Sequence, residues 1–231
     1  MIRTSNLKKV FRNDGVEAVA VANANVRVDE GEFVAIMGPS GSGKTTLLTI
    51  LGLLDTPTEG QYYFLDKEVS KYSEKQRTTL RRKNIGYVFQ NFNLINELTV
   101  FENIELPLIY MGIEAPARKG MVLRIMEQML MTPRQNHFPP QLSGGQQQRV
   151  AVARAIVGNQ KLILADEPTG NLDSRNGDEI MTLLAQLNED GATIIMVTHS
   201  MEYAQWANRI LQIYDGHVIN ESTMEAARSV L

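Results

Sequence analysis

Gly38, Pro39, Ser40, Gly41, Ser42, Gly43, Lys44 and Thr45 form an unbroken G-x-x-x-x-G-K-[ST] run. Residue types in that order suit the binding of a polyphosphate. The glycines let the backbone wrap an anion with its N–H groups turned inward. Lys44 brings a mobile cation to the outer phosphates, and the Thr45 hydroxyl suits Mg²⁺. A second constellation, Asp166-Glu167, closes the apolar run Leu162-Ile163-Leu164-Ala165. Beside a phosphate loop, the first carboxylate belongs on Mg²⁺, directly or through water. The second is then free to orient or deprotonate an attacking water. A third is Leu142-Ser143-Gly144-Gly145-Gln146, a glycine-rich segment that opens an alanine-rich helix. With Ser143 as N-cap, it is another anion site at a helix N-terminus.

These groups need elements to carry them. Glu32 to Met37 is a short apolar stretch that reads as a buried strand before the loop. Thr46 to Leu54 is apolar nearly all round and suits a buried helix after it, whose dipole adds to the anion site. Strand, glycine loop and helix supply the context that a phosphate loop requires. Residues 1–37 read as strands and turns, with turn signals at Asn13-Asp14-Gly15 and Asp29-Glu30-Gly31. Gln61 to Leu65 and Ile85 to Phe89 suit further strands, and the charged stretch 73–83 suits a helix. Leu98 to Met111 and Arg118 to Leu130 read as helices, and prolines 133, 139 and 140 interrupt the chain before Gln141. Residues 91–157 thus read as a helical insertion in an α/β core. Lys161 to Ala165 and Thr193 to Val197 are continuous apolar strands, the pattern of a parallel sheet covered on both faces. Gly177 to Asn188 spaces Ile180, Leu183, Leu184 and Leu187 as a helix does, which predicts a right-handed crossover. A hairpin around Asp215-Gly216 closes the sheet. Trp206, the sole tryptophan, reads as packing.

Composition narrows the function. The 231 residues carry a net charge of −3, which makes no general electrostatic case for nucleic acid or an anionic membrane surface. There is no cysteine, so disulfides, thiolate metal sites and cysteine nucleophiles are excluded. No apolar run approaches the ~20 residues that span a bilayer, and the first ten residues have no apolar signal region. A membrane role is expected only through a partner.

Leu142 to Gln146, the 38–45 loop and the Asp166-Glu167 pair resemble, in order and spacing, the ABC-type ATPases over essentially the whole chain. That resemblance implies one ABC ATPase domain over 1–231. It is an α/β, RecA-like P-loop nucleotide-binding core (1–90 and 158–231) with an N-terminal antiparallel β-sheet and an inserted α-helical subdomain (91–157). It also implies ATP and Mg²⁺ as ligands. Thr45, Gln90 and Asp166 would hold the metal, and Glu167, Gln90 and His199 would be catalytic. Residues 38–46, with Thr46 included, would bind nucleotide, together with Ser143, Gly144, Gly145, Gln146 and Asp173. Asn171-Leu172-Asp173 matches the D-loop at the family's dimer seam. Phe11 stands where the family places an aromatic against adenine, or is simple core.

The family binds each ATP between the loop of one subunit and Ser143–Gln146 of another. The implied partners are a second copy of the chain and a separate membrane permease. The implied location is cytoplasmic, on the inner face of the membrane. Gln146 to Arg149, Ala165 to Asp173 and Ile50 to Asp55 look like the macrolide-export and lipoprotein-release branch. Met131 to Phe138 departs from the more acidic segment usual there. The alternative is a non-transport regulator like the cell-division ABC pair. A soluble chromosome ATPase would need a long coiled coil, and residues 46–141 show no sustained heptads. Phe92, Leu94 and Ile95 are expected to form a partly exposed groove for a permease helix, and Leu98 to be core.

Overall fold

A computed structural model describes residues 1–13 and 16–223. In chain order the strands are β1 (Ile2–Asn13), β2 (Val16–Ala24), β3 (Arg27–Val28), β4 (Phe33–Met37), β5 (Glu59–Phe64), β6 (Lys67–Glu68), β7 (Ile85–Phe89), β8 (Leu162–Asp166), β9 (Thr193–Val197), β10 (Arg209–Tyr214) and β11 (His217–Thr223). The α-helices are α1 (Lys44–Leu51), α2 (Glu74–Asn84), α3 (Val100–Tyr110), α4 (Ala115–Gln128), α5 (Gly144–Ile156), α6 (Ser174–Glu189) and α7 (Met201–Ala204).

The central sheet runs β11-β10-β4-β9-β8-β7, parallel from β10 to β7, with β11 antiparallel at the edge. Its strands alternate faces as pleating demands. Phe33, Ala35, Ile163, Ala165, Ile194 and Met196 point into a core shared with α3, α4, α5 and α6. Val34, Ile36, Leu162, Leu164, Ile195 and Val197 point to the other side. There they meet α1 and the antiparallel sheet through Leu7, Val21, Tyr62 and Phe64. Burial on both faces explains why these strands read as unbroken apolar runs. The antiparallel sheet orders β2-β1-β5-β6, with β3 also on β1.

Local chemistry sets the helix starts. Ser73, Thr99 and Ser143 each close a capping box with a Gln or Glu three residues on. Asp173 caps α6 by accepting from the Asn176 N–H at 2.9 Å. The α5 helix lies directly on β7, because a Cβ at Gly86 would collide with the Ala155 carbonyl.

Most expected elements are present within a few residues. The Asn13-Asp14-Gly15 turn falls partly outside the described residues. The helix after the phosphate loop ends at Leu51, and Gly52 turns the chain, so Leu53 and Leu54 lie beyond it. Leu54 is exposed there. Helix α4 starts at Ala115, earlier than Arg118, because Pro116 fits a first turn that needs no N–H. Trp206 is 40% exposed and not core, since its neighbours Ala204 and Ala207 take the inward positions.

Gly86→Val is expected to force α5 off β7 and to lower stability by about 1–3 kcal/mol, read as a lower midpoint in urea denaturation.

Candidate functional site

The parallel register sets the site. Ile36 pairs with Val197, Val197 with Asp166, and Asp166 with Phe89. The residues that follow this row are the start of the phosphate loop, Thr198-His199, Glu167 and Gln90. Four adjacent strands therefore deliver them at one carboxyl edge, where α/β sheets bind ligands.

The loop between β4 and α1 is shaped by two close approaches. A Cβ on Gly38 would strike the Ile213 carbonyl, and one on Gly43, at φ +99°, would strike the Ala20 carbonyl. Gly41 also takes the left-handed region, φ +77°. Inside this cradle Lys44 is only 5% exposed, and its ammonium donates to the Pro39 carbonyl at 2.7 Å. Burial lowers its pKa, while the Glu167 and Asp166 carboxylates act to raise it. The Ser42 hydroxyl is buried with no partner. An unpaired hydroxyl, a desolvated ammonium and a helix N-terminus are features that fit a bound phosphate.

Thr45 Oγ1 lies 3.5 Å from Asp166 Oδ1. Burial raises the Asp166 pKa, with the neighbouring Glu167 charge adding to it and Thr45, Lys44 and His199 opposing. Among the described residues no cluster of three or more His, Cys, Asp or Glu could hold a metal ion. The hard oxygens of Thr45 and Asp166 fit Mg²⁺ as two of its ligands.

Glu167 stands in the left-handed region at φ +48°, an uncommon conformation for a residue with a Cβ. Its amide donates to the Val197 carbonyl at 2.9 Å. Its carboxylate Oε1 meets His199 Nε2 at 2.7 Å. Ala20, Ser40, Gly41, Gly43, Lys44, Thr45, Thr46, Glu167 and His199 line one cavity of about 210 Å³. Gln90 is turned aside. Its Nε2 donates to Asn171 Oδ1 at 3.4 Å, while Asn171 Nδ2 donates back to the Gln90 carbonyl at 3.0 Å.

Ser143, Gly144, Gly145 and Gln146 do not line that cavity. Gly144 packs against Leu172, and a Cβ on Gly145 would collide with Asn176, which is itself held by Asp173. The second glycine-rich segment is thus built against Asn171–Asp173. The Asn176 bonds hold the Asp173 carboxyl below its usual range. Phe11 is 43% exposed and outside the cavity lining, with the Lys9 ammonium 5.1 Å over its ring.

Leu94 and Phe92 are half-buried, and Leu94 packs against the core that includes α3, α4 and α5. Only Ile95 of the three expected groove residues is largely exposed. A groove of about 330 Å³ does exist close by, lined by Phe89, Asn93, Leu106, Pro107, Tyr110 and Arg154 among others. No local pattern in the sequence singles out Arg154, whose guanidinium holds the Phe92 and Asn93 carbonyls. Gln148, fully buried in α5, is also absent from the expected site residues. The signal for Gln148 was its helical spacing from Gly145 and Val152.

Fold and site together define a P-loop nucleotide-binding cassette. The ABC transporter family profile matches residues 21–170, more than half of the chain. An uncharacterized ABC transporter ATP-binding protein of Methanocaldococcus jannaschii is 48% identical over 219 residues, 95% of this chain and 98% of that one. The macrolide export ATP-binding/permease protein MacB of Azoarcus sp. is 43% identical over 95% of this chain, which spans about a third of that relative's length. A solved dimer of the ATP-binding cassette MJ0796, in a post-hydrolysis state with ADP and Pi, superposes with a TM-score of 0.90. It is 44% identical, with 97% of this chain and 99% of that chain covered. The chain belongs to the ABC transporter family, as one of its ATP-hydrolysing ATP-binding cassettes. No helix among the described residues is long and apolar enough to cross a membrane.

A raised carboxyl pKa costs the folded state above that pKa, and the cost vanishes below the ordinary Asp value of about 3.9. Asp166→Asn is therefore expected to raise the thermal midpoint of the nucleotide-free chain at neutral pH. The advantage over the parent should shrink as pH falls through the carboxylate range, as calorimetry across pH would record.

Proposed function

We propose that this chain is the motor of a membrane transporter, hydrolysing ATP in a head-to-tail pair and driving a separate permease. The observation that carries the catalytic part is the shared carboxyl edge, where Asp166 stands in one register row and the phosphate loop, Glu167, His199 and Gln90 come just after it. On this reading residues 38–46 hold the nucleotide, with Lys44 neutralising the outer phosphates. Thr45 and Asp166 would hold Mg²⁺, joined by Gln90 once its amide leaves Asn171, and the ion would offset the charge on the phosphate oxygens. Glu167 takes the proton of the attacking water, and the 2.7 Å contact from His199 holds that carboxylate while the imidazole faces the γ-phosphate. Phe11 takes the adenine on its exposed ring.

The cavity around Lys44 contains no residue of Ser143–Gln146. A second helix N-terminus for the same phosphates is therefore best supplied by another copy, with Asp173 beside it. The dimer solved for the MJ0796 cassette supports that arrangement, which has two-fold symmetry. The Azoarcus MacB relative carries cassette and permease in one name, which supports a permease partner here. The groove between Phe89 and Tyr110 is the face we assign to it, with residues 91–157 moving as a helical subdomain on the 1–90 and 158–231 core. Contact with the inner face of the membrane then comes through the permease.

Glu167→Gln is expected to bind ATP and to lose turnover by about 10²–10⁴-fold, because an amide cannot take the proton. Phosphate release within about twofold of the parent would overturn the assignment. The variant should also elute as an ATP-dependent dimer in size-exclusion chromatography. Gly145→Asp should keep ATP affinity and show no such dimer, since its side chain would displace Asn176 and place a carboxylate where a phosphate is expected. A dimer of normal yield would argue against the shared site.

A further inference from the structure

Gln148 is 0% exposed, within α5 and away from the cavity. Its Nε2 donates to the Pro168 carbonyl at 2.7 Å and reaches the Phe89 carbonyl at 3.5 Å. Pro168 directly follows Glu167, and Phe89 directly precedes Gln90. A single buried amide thus spans the backbone carbonyls adjoining Glu167, which lines the cavity, and Gln90, which is turned onto Asn171. Both partners are carbonyls, which only accept, so the NH₂ end must face them. The other end, Oε1, is buried with no partner. A buried unpaired acceptor is a cost. If filling space were the whole role, an aliphatic side chain of that length would do so without the cost.

The two carbonyls belong to turns that need a tie. Glu167 is held at φ +48°, and Phe92 and Asn93 at φ +60° and φ +48° follow Gln90. These left-handed residues are held by their surroundings and not by their own preference. Strands β7 and β8 pair only as far as Phe89 and Asp166. Beyond that row the ladder no longer sets the separation of the two chains. There Asn171 bonds Gln90 and Asn91 farther out, and Arg154 of α5 holds the Phe92 and Asn93 carbonyls, while the Gln148 amide bonds both chains at the residues next to Glu167 and Gln90.

We propose that Gln148 is a positioning residue for hydrolysis, setting the separation of Glu167 and Gln90 by bridging the carbonyls beside them. It also ties both to the helix that begins with Ser143–Gln146, so the segment offered to a second copy and the groups that act on water share one anchor. This rests on the catalytic reading of Glu167 above.

The test measures steady-state ATP turnover and nucleotide affinity in the full chain for Gln148→Met, Gln148→Glu and Glu167→Gln beside the parent. Gln148→Met keeps length and volume and removes both donors. Its kcat should fall about tenfold or more while KM for ATP stays within about twofold. An unchanged kcat in the folded protein, or a loss confined to KM, overturns the proposal. Gln148→Glu keeps the shape, and its carboxyl can donate only when protonated, which burial favours. The ratio of its kcat to the parent's should rise as pH is lowered from about 8 to about 6, as proton uptake restores one bond. A ratio flat across pH overturns the proposal, and this variant decides if Gln148→Met does not fold. Loss of the underlying reading is separately visible. Turnover by Glu167→Gln like the parent's removes the base assignment itself, whereas an inactive Glu167→Gln beside an unaffected Gln148→Met overturns only the positioning role.

Discussion

Everything at the carboxyl edge depends on the parallel hydrogen-bond register of β4, β9, β8 and β7. Parallel ladders slant and repeat evenly, so one pairing choice sets every other along the strand. With Ile36, Val197, Asp166 and Phe89 in one row, the next residues of four strands emerge together. A slip of one residue would turn Asp166 toward a core face and exchange the side chains that meet α1 for those that meet α5. The alternating burial of those strands makes such a slip costly, since each face is packed on its own apolar cluster. Hydrophobic patterning thus holds the geometry of the edge without any of its polar side chains contributing to it.

The site itself works against stability. Lys44 is desolvated and Asp166 is pushed toward its neutral form by burial and by the next carboxylate. Glu167 occupies a left-handed backbone position, and Ser42 keeps a buried hydroxyl without a partner. These costs sit together where an anion and a cation would relieve them. A polyphosphate would give Lys44 and Ser42 partners, and a divalent cation would favour the ionised form of Asp166. Costs relieved by a ligand bias the chain toward its bound state.

Side-chain bridges join the edge to the rest of the molecule. Asn171 and Gln90 exchange hydrogen bonds, His199 meets Glu167, and Asn176 links Asp173 to the start of α5. The segment Ser143–Gln146 leans on Asn171–Asp173, and is thereby continuous with the carboxyl edge.

Much of the fold was legible in the residues. Apolar runs such as Leu162 to Ala165 and Thr193 to Val197 could only be covered strands, and the 38–45 loop with its flanks named its own chemistry. Such features depend on neighbours in sequence, where periodicity and glycine placement act directly. The groove residues were less legible. Phe92, Leu94 and Ile95 alternate with polar residues in a way that suits a groove or a core, and only the packed structure shows Leu94 half-buried against the core and Ile95 exposed.

The sequence by itself determined the strand and helix order, the phosphate loop and the carboxylate pair, because each arises from contiguous residues. The tertiary structure alone decided the rest. It turned Gln90 toward Asn171, set His199 against Glu167 and kept Ser143–Gln146 out of the Lys44 cavity. It also buried Gln148 between the Phe89 and Pro168 carbonyls. These are contacts between residues tens of positions apart, chosen by sheet order and helix docking. A glutamine looks the same in sequence whether it faces water or bridges two carbonyls, because burial is a property of the packed chain and not of the residue.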